Sequence, residues 1–326
     1  MTEHSLADAV RRGDRSALAK AITLVESTRA DHRGRATALL DALAPHTGGS
    51  LRVGISGTPG VGKSTFIEVF GLHLADDRGL RVAVLAVDPS STRNGGSILG
   101  DKTRMAGLAR HPHAFIRPSP SGGTLGGVAR RTREVLLLCE AAGYDVVLVE
   151  TVGVGQSETA VARMTDVFTL LVAPGGGDEL QGIKRGIMEL ADLVVVNKCD
   201  GGLEQAARAT LSEYAGALRL VRPRSTAWMP AAIPASALTG MGVHEVWEQL
   251  LALRAALEGS GEFAGRRAEQ ARSWMWDEVG ERVLSTFRSL PSVAALLPGV
   301  EADVVAGRRS PGSAVELLLR TWADRP

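Results

Sequence analysis

LRVGISGTPGVGKST, Leu51 to Thr65, joins a short apolar run to a glycine-rich turn and then to a helical pattern. Its second part, Gly57, Thr58, Pro59, Gly60, Val61, Gly62, Lys63, Ser64 and Thr65, fits the spacing G-x-x-x-x-G-K-[ST]. Glycines at those places allow a tight loop whose backbone N–H groups converge on phosphate oxygens, and the helix that follows adds a favourable dipole. The spacing assigns Lys63 to the β- and γ-phosphates and offers the Ser64 hydroxyl to Mg²⁺. A phosphate loop of this kind is built between a buried strand and a helix, so it predicts an α/β fold of the P-loop NTPase type.

Outward from the loop the pattern agrees. RVAVLAV, DVVLVE, VFTLLVA and LVVVN are near-continuous apolar runs of strand length, which suits strands covered on both faces in a mostly parallel, doubly wound sheet. The stretches Ser64 to Leu74, Gly127 to Ala141 and Glu204 to Leu218 supply helical crossovers. Residues 1–48 read as a helical extension ending near Pro45 and the pair Gly48 and Gly49, residues 49–258 as the nucleotide-binding body, and residues 259–326 as a helical arm. The arm begins with a small, charged connector, GSGEFAGRRAEQ, and carries Trp274, Trp276, Leu284, Phe287 and Trp322. Such apolar weight is covered either by the body or by a second subunit.

Later segments name the nucleotide. LVVVNKCD ends a strand with Asn197, Lys198 and Asp200. In an N-K-x-D tetrad the aspartate carboxylate accepts from guanine N1–H and the exocyclic amine while the lysine stem lies along the ring, and adenine offers no matching donor pair. PASALTGMG adds Ser236, Ala237 and Leu238, a segment whose backbone meets guanine in such proteins. Between these motifs, DVVLVETVGVGQSE places Glu150 at a strand end, with Thr151 and Gly153 after it. Asp88, closing RVAVLAVD, and Asp101, in GGSILGDKTRM, are further carboxylates. With Ser64 they form an oxygen donor set of the kind a hard divalent cation takes. Asp88 has a second reading as a turn residue before Pro89. No glutamine directly follows Gly153, although Gln156 is near, so slow hydrolysis of GTP to GDP without a partner is expected. Lys63, Asp88 and Glu150 are the candidate catalytic residues.

Composition excludes other classes. Thirty-seven Lys plus Arg against thirty-six Asp plus Glu, a net charge of +1, provide no field for nucleic acid or an anionic membrane. Apolar runs fall short of a membrane span. Two distant cysteines, Cys139 and Cys199, exclude a disulfide scaffold and a Cys-rich metal site, which favours a cytoplasmic setting. The thirty-eight glycines cluster between apolar runs without a repeat.

Taken in order, GTPGVGKST, AVDPSS, GGSILGDKTRM, ETVGVGQSE, PGGGDELQGIKRGIMELAD, NKCD and SAL resemble the MeaB/ArgK GTPases, the family that includes the human methylmalonic aciduria type A protein. The resemblance covers most of residues 51–245. It implies a GTPase that chaperones adenosylcobalamin-dependent methylmalonyl-CoA mutase, loading and protecting its cofactor site. It also implies that the arm forms a homodimer and that Gly175 to Arg185 is an additional switch facing the mutase. An older reading of the family is a kinase linked to lysine, arginine and ornithine transport, for which the sequence shows no acceptor-activating motif. A nickel-delivery GTPase would need clustered His and Cys that are absent here.

Overall fold

The computed structural model describes residues 3–87, 105–118, 125–151, 157–175 and 185–323. Three helices come first, α1 (Glu3–Arg11), α2 (Arg15–Glu26) and α3 (Ala30–Leu43). Asp14 starts α2 by accepting from the N–H groups of Ser16 at 2.8 Å and Ala17 at 3.1 Å. The helices pack on one another through Leu6, Val10, Leu18, Ile22 and Leu39, all buried.

The body alternates strands and helices: β1 (Leu51–Gly57), α4 (Lys63–Leu72), β2 (Val82–Val87), α5 (Ala106–Arg110), β3 (Ala114–Arg117), α6 (Leu125–Ala141), β4 (Val146–Thr151), α7 (Ser157–Ala162), β5 (Val167–Val172), α8 (Arg185–Met188), β6 (Leu193–Val196), α9 (Glu204–Leu218), β7 (Ala231–Pro234) and α10 (Val243–Gly259). The strands form one sheet in the order β3-β2-β4-β1-β5-β6-β7, and every pairing is parallel. Alternate residues serve opposite faces. Val53, Ile55, Leu171 and Val195 pack with Phe66, Phe70, Trp247 and Leu250 of α4 and α10, while Leu170, Val172, Val194 and Val196 pack with Tyr214 and Leu218 of α9. Helices therefore cover both sides, and α2 and α3 rest on α6. The sheet holds two strands beyond the five apolar runs of the sequence. β3 and β7 are four residues each, as β6 is, but they lie at the sheet's edges, and AFIR and AAIP lack the unbroken β-branched run of LVVV that marks β6.

The chain divides into two compact units, Met1–Ala268 and Glu269–Pro326, and the division falls inside the helix α11 (Glu262–Ser289). The expected connector GSGEFAGRRAEQ is a correction in this respect: only Ser260 and Gly261 interrupt the helices, and from Glu262 onward it is helical. The reason is electrostatic. Arg266 and Arg267, read from sequence as part of a small, charged connector, are tied to buried acids of the body. Arg267 forms a two-pronged pair with Asp166 at 2.8 and 2.7 Å, and Arg266 donates to the Asp166 carbonyl. The second unit continues α11 with α12 (Pro291–Val305) and α13 (Pro311–Ala323). In it the Phe287 and Trp322 rings meet edge to face, their centroids 5.9 Å apart. Among the described residues no single helix is long and apolar enough to cross a membrane.

Candidate functional site

β1 is central, flanked by β4 and β5, so the loop at its carboxyl end sits at the middle of that sheet edge. Such an edge is where open α/β sheets take ligands. The loop from Gly57 to Gly62 turns directly into α4, whose first residues are Lys63, Ser64 and Thr65. Gly62 has φ +89°, and a Cβ there would stand 2.9 Å from Asn197 Nδ2, so any side chain would strain the backbone and crowd the neighbouring motif. Thr58 is half-buried, Val61 is buried, and Pro59, Gly60 and Thr65 are exposed.

Lys63 extends back over the loop, donating from Nζ to the Gly57 carbonyl at 2.7 Å and the Thr58 carbonyl at 3.3 Å. Burial holds its ammonium below the usual lysine range, and the carboxylates of Glu150 and Glu158 act in the opposite direction. Ser64 donates its hydroxyl to Glu150 Oε1 at 3.2 Å. Glu150 is 3 % exposed and pairs in register with Ile55 of β1, so the end of β4 is what presents it to the start of α4. A hydroxyl and a carboxylate thus converge beside the lysine expected at the phosphates, an oxygen set that fits Mg²⁺. Asp88 and Asp101, the other expected metal ligands and, for Asp88, the expected catalytic acid, lie outside the described residues, as do Gly153, Gln156 and the stretch 176–184.

The guanine segments are joined to the same loop. Asn197 donates from Nδ2 to the Val61 carbonyl at 2.9 Å and accepts from the Ala237 N–H at 3.1 Å, linking phosphate loop, NKCD and SAL through one side chain. Lys198 adopts φ 62°, a left-handed conformation unusual for a residue with a Cβ, and donates to the Gly60 carbonyl at 2.6 Å. Its stem is thereby laid across the loop. Ser236, fully buried, donates to Asp200 Oδ1 at 2.8 Å and fixes the carboxylate that is expected to meet the base. Leu238 is 81 % exposed at the rim of this arrangement. The described residues expected at the nucleotide, from Gly57 to Thr65, Glu150, Asn197, Lys198, Asp200, Ser236 and Ala237, are in this way brought to one edge.

One residue that the sequence pattern leaves unmarked belongs here. Glu158, the last residue of ETVGVGQSE and the second of α7, is 5 % exposed, and its carboxylate acts on the Lys63 ammonium against the effect of burial. Its only signal in the sequence is an acid just inside a short helix, which usually marks a solvated first turn. The two cysteines take no part in such chemistry: burial pushes the Cys139 thiol far up, and Cys199 donates to the Val196 carbonyl at 3.0 Å.

P-loop nucleotide hydrolases are built on this strand, loop and helix, and the bonding of NKCD to the loop narrows the class to GTPases. The family model described as methylmalonyl Co-A mutase-associated GTPase MeaB matches residues 18–292, and the chain belongs to that family. A probable GTPase of Mycobacterium bovis is 56% identical over 98% of this chain and 94% of its own length. The mouse methylmalonic aciduria type A homolog, mitochondrial, is 51% identical over 96% of this chain and 78% of its own. The crystal structure of an LAO/AO transport system kinase superposes with a TM-score of 0.77 at 40% identity, covering 98% of this chain and 96% of that one. The protein is a GTPase with a P-loop fold.

Proposed function

We propose that this GTPase acts on adenosylcobalamin-dependent methylmalonyl-CoA mutase as a chaperone in the cytoplasm, using GTP hydrolysis to gate cofactor loading and to protect the enzyme. The observation that carries the reading is the family match over residues 18–292, whose description names the mutase, supported by the mouse relative's name. Within the site, the loop N–H groups and Lys63 bind the phosphates, Asp200 reads guanine, and Ser64 with Glu150 holds Mg²⁺, joined by Asp88 and Asp101. The bound ion supplies neutralisation of charge on the β- and γ-phosphates. Lys63 exchanges its carbonyl partners for phosphate oxygens, and Glu150 orients the Ser64 hydroxyl. Gly175 to Arg185, which follows β5, is the segment proposed to carry the nucleotide state to the mutase.

A homodimer forms part of the proposal. Met275, Trp276, Val279 and Val283 repeat at helical spacing along α11 and are 53%, 64%, 41% and 48% exposed, an apolar stripe that a second copy would cover. Light scattering on the purified protein, alone and mixed with the mutase in GDP and in a non-hydrolysable GTP analogue, tests both points. The expected masses are two chains alone and a larger, nucleotide-dependent complex with mutase, accompanied by faster GTP hydrolysis. A monomer would remove the dimer. Absence of any complex in either state, together with phosphate transfer from GTP to a protein acceptor, would favour the transport-linked kinase activity after which the 40% identical structure is named.

A further inference from the structure

The crossover from β4 to β5 passes over β1, because β1 lies between those two strands in the sheet. α7, the helix of that crossover, rests on β1, β4 and β5. Its approach to β1 is close: a Cβ on Gly54 would stand 2.8 Å from Val161 Cγ1 and 2.8 Å from Thr165 Oγ1. In a parallel crossover the helix runs back against the strand direction, so its first turn lies toward the strand's carboxyl end. Ser157 and Glu158 precede Val161 by about one turn, roughly 5 Å of helix. They therefore reach past Gly54 toward Gly57, whose carbonyl receives Lys63 Nζ at 2.7 Å. Both side chains are buried, at 0% and 5% exposure. A carboxylate so enclosed has little water to screen it, and its field is felt across several ångströms.

We infer that the Glu158 carboxylate is a positioning residue that draws the Lys63 ammonium away from the phosphates, weakening nucleotide binding and GTP binding most of all. Glu150 accepts from the Ser64 hydroxyl at the end of β4, and Glu158 stands on a different element, α7, as a second buried carboxylate acting on Lys63. Its effect opposes affinity. The inference rests on assigning Lys63 to the phosphates, and that assignment is read first. Lys63→Met must lose affinity for GTP by calorimetry, and unchanged affinity overturns the assignment itself.

The decisive comparison is a double-mutant cycle on the full chain, with GTP analogue and GDP dissociation constants measured for the parent, Glu158→Gln, Lys63→Met and the double variant. Glu158→Gln is expected to tighten the GTP analogue about threefold to tenfold and GDP by less. In the Lys63→Met background the same change is expected to do little. A merely structural role for Glu158 would produce weaker binding, and unchanged or weaker binding in a variant that melts like the parent overturns the inference. A gain that persists without Lys63 also overturns it, because the charge would then act on the phosphates directly. Should Glu158→Gln fail to fold, Glu158→Asp withdraws the charge by one methylene and must shift GTP affinity in the same direction.

Discussion

The two ends of the sheet use the same residue types for opposite purposes. At the carboxyl end, Lys63, Glu150, Asn197, Lys198 and Asp200 hold interim partners, mostly backbone carbonyls and hydroxyls. Under the proposed function, phosphate, metal or base replaces those partners. At the amino end the charges are committed to one another. Arg52 pairs two-pronged with Glu140 at 2.9 and 2.8 Å, and Arg267 pairs likewise with Asp166. Arg224 meets Asp192 at 2.8 Å, while Asp166 and Asp192 also accept from the N–H groups of Arg52 and Phe168 at 2.8 Å each. The acids are 1% to 5% exposed as residues. Burying a charge is costly unless its partner and hydrogen bonds are complete. Arginine–carboxylate pairs fix the roots of β1, β5 and β6, whereas at the tips of β1, β4 and β6 the bonds named above run to backbone carbonyls and hydroxyls.

Substitutions at the two ends should therefore fail differently. The largest effect is expected at Lys63. Lys63→Ala removes the cation that reaches back to the Gly57 and Thr58 carbonyls of the phosphate loop, and GTP hydrolysis should drop by about 10²- to 10³-fold or more. The melting temperature should stay near that of the parent, as read by phosphate release and circular dichroism. A large loss of stability would erase the contrast between the ends. Next comes Arg267→Met, which strands Asp166 in the interior and should cost about 3–5 kcal/mol in denaturant unfolding. Residual GTP binding per folded molecule should be preserved. Smallest is Arg78→Ala. Arg78 meets Glu248 at 2.6 Å, as short as any buried pair, yet the two side chains are 32% and 49% exposed. Solvent screening predicts a loss of about 1 kcal/mol or less in the same unfolding measurement. A cost equal to that of Arg267→Met would mean that distance, and not burial, sets the scale.

How much of the molecule is legible in its sequence follows the same division. The nucleotide end is local in sequence: the phosphate loop, NKCD and SAL each occupy a few consecutive residues, so spacing alone identifies them, and continuous apolar runs identify five of the strands. The amino end is not local. Arg267 and Asp166 are 101 positions apart, Arg52 and Glu140 are 88 apart, and nothing in RRAEQ distinguishes an arginine paired with a buried acid from a solvated one. That is why the start of α11 reads as a linker. β3 and β7 escape for a different reason, since AFIR and AAIP are short edge segments without the β-branched run that marks the equally short β6, and they gain their identity from neighbours in the sheet. Glu158 is hidden by the commonest reading of an acid in a first helical turn, and only the closeness of α7 to β1 at Gly54 changes it.

Arg267 has one more pair of contacts whose meaning is practical. It donates to the carbonyls of Gly48 and Ser50 at 2.6 Å each, across 219 and 217 positions of chain. The polypeptide thus enters and leaves its nucleotide-binding portion through a single clasp. For anyone trimming this protein, a cut after Glu258 discards the clasp along with the arm, whereas a cut after Ala268 keeps it. The smallest piece worth expressing is defined by that arginine, ten residues beyond where composition would place the scissors.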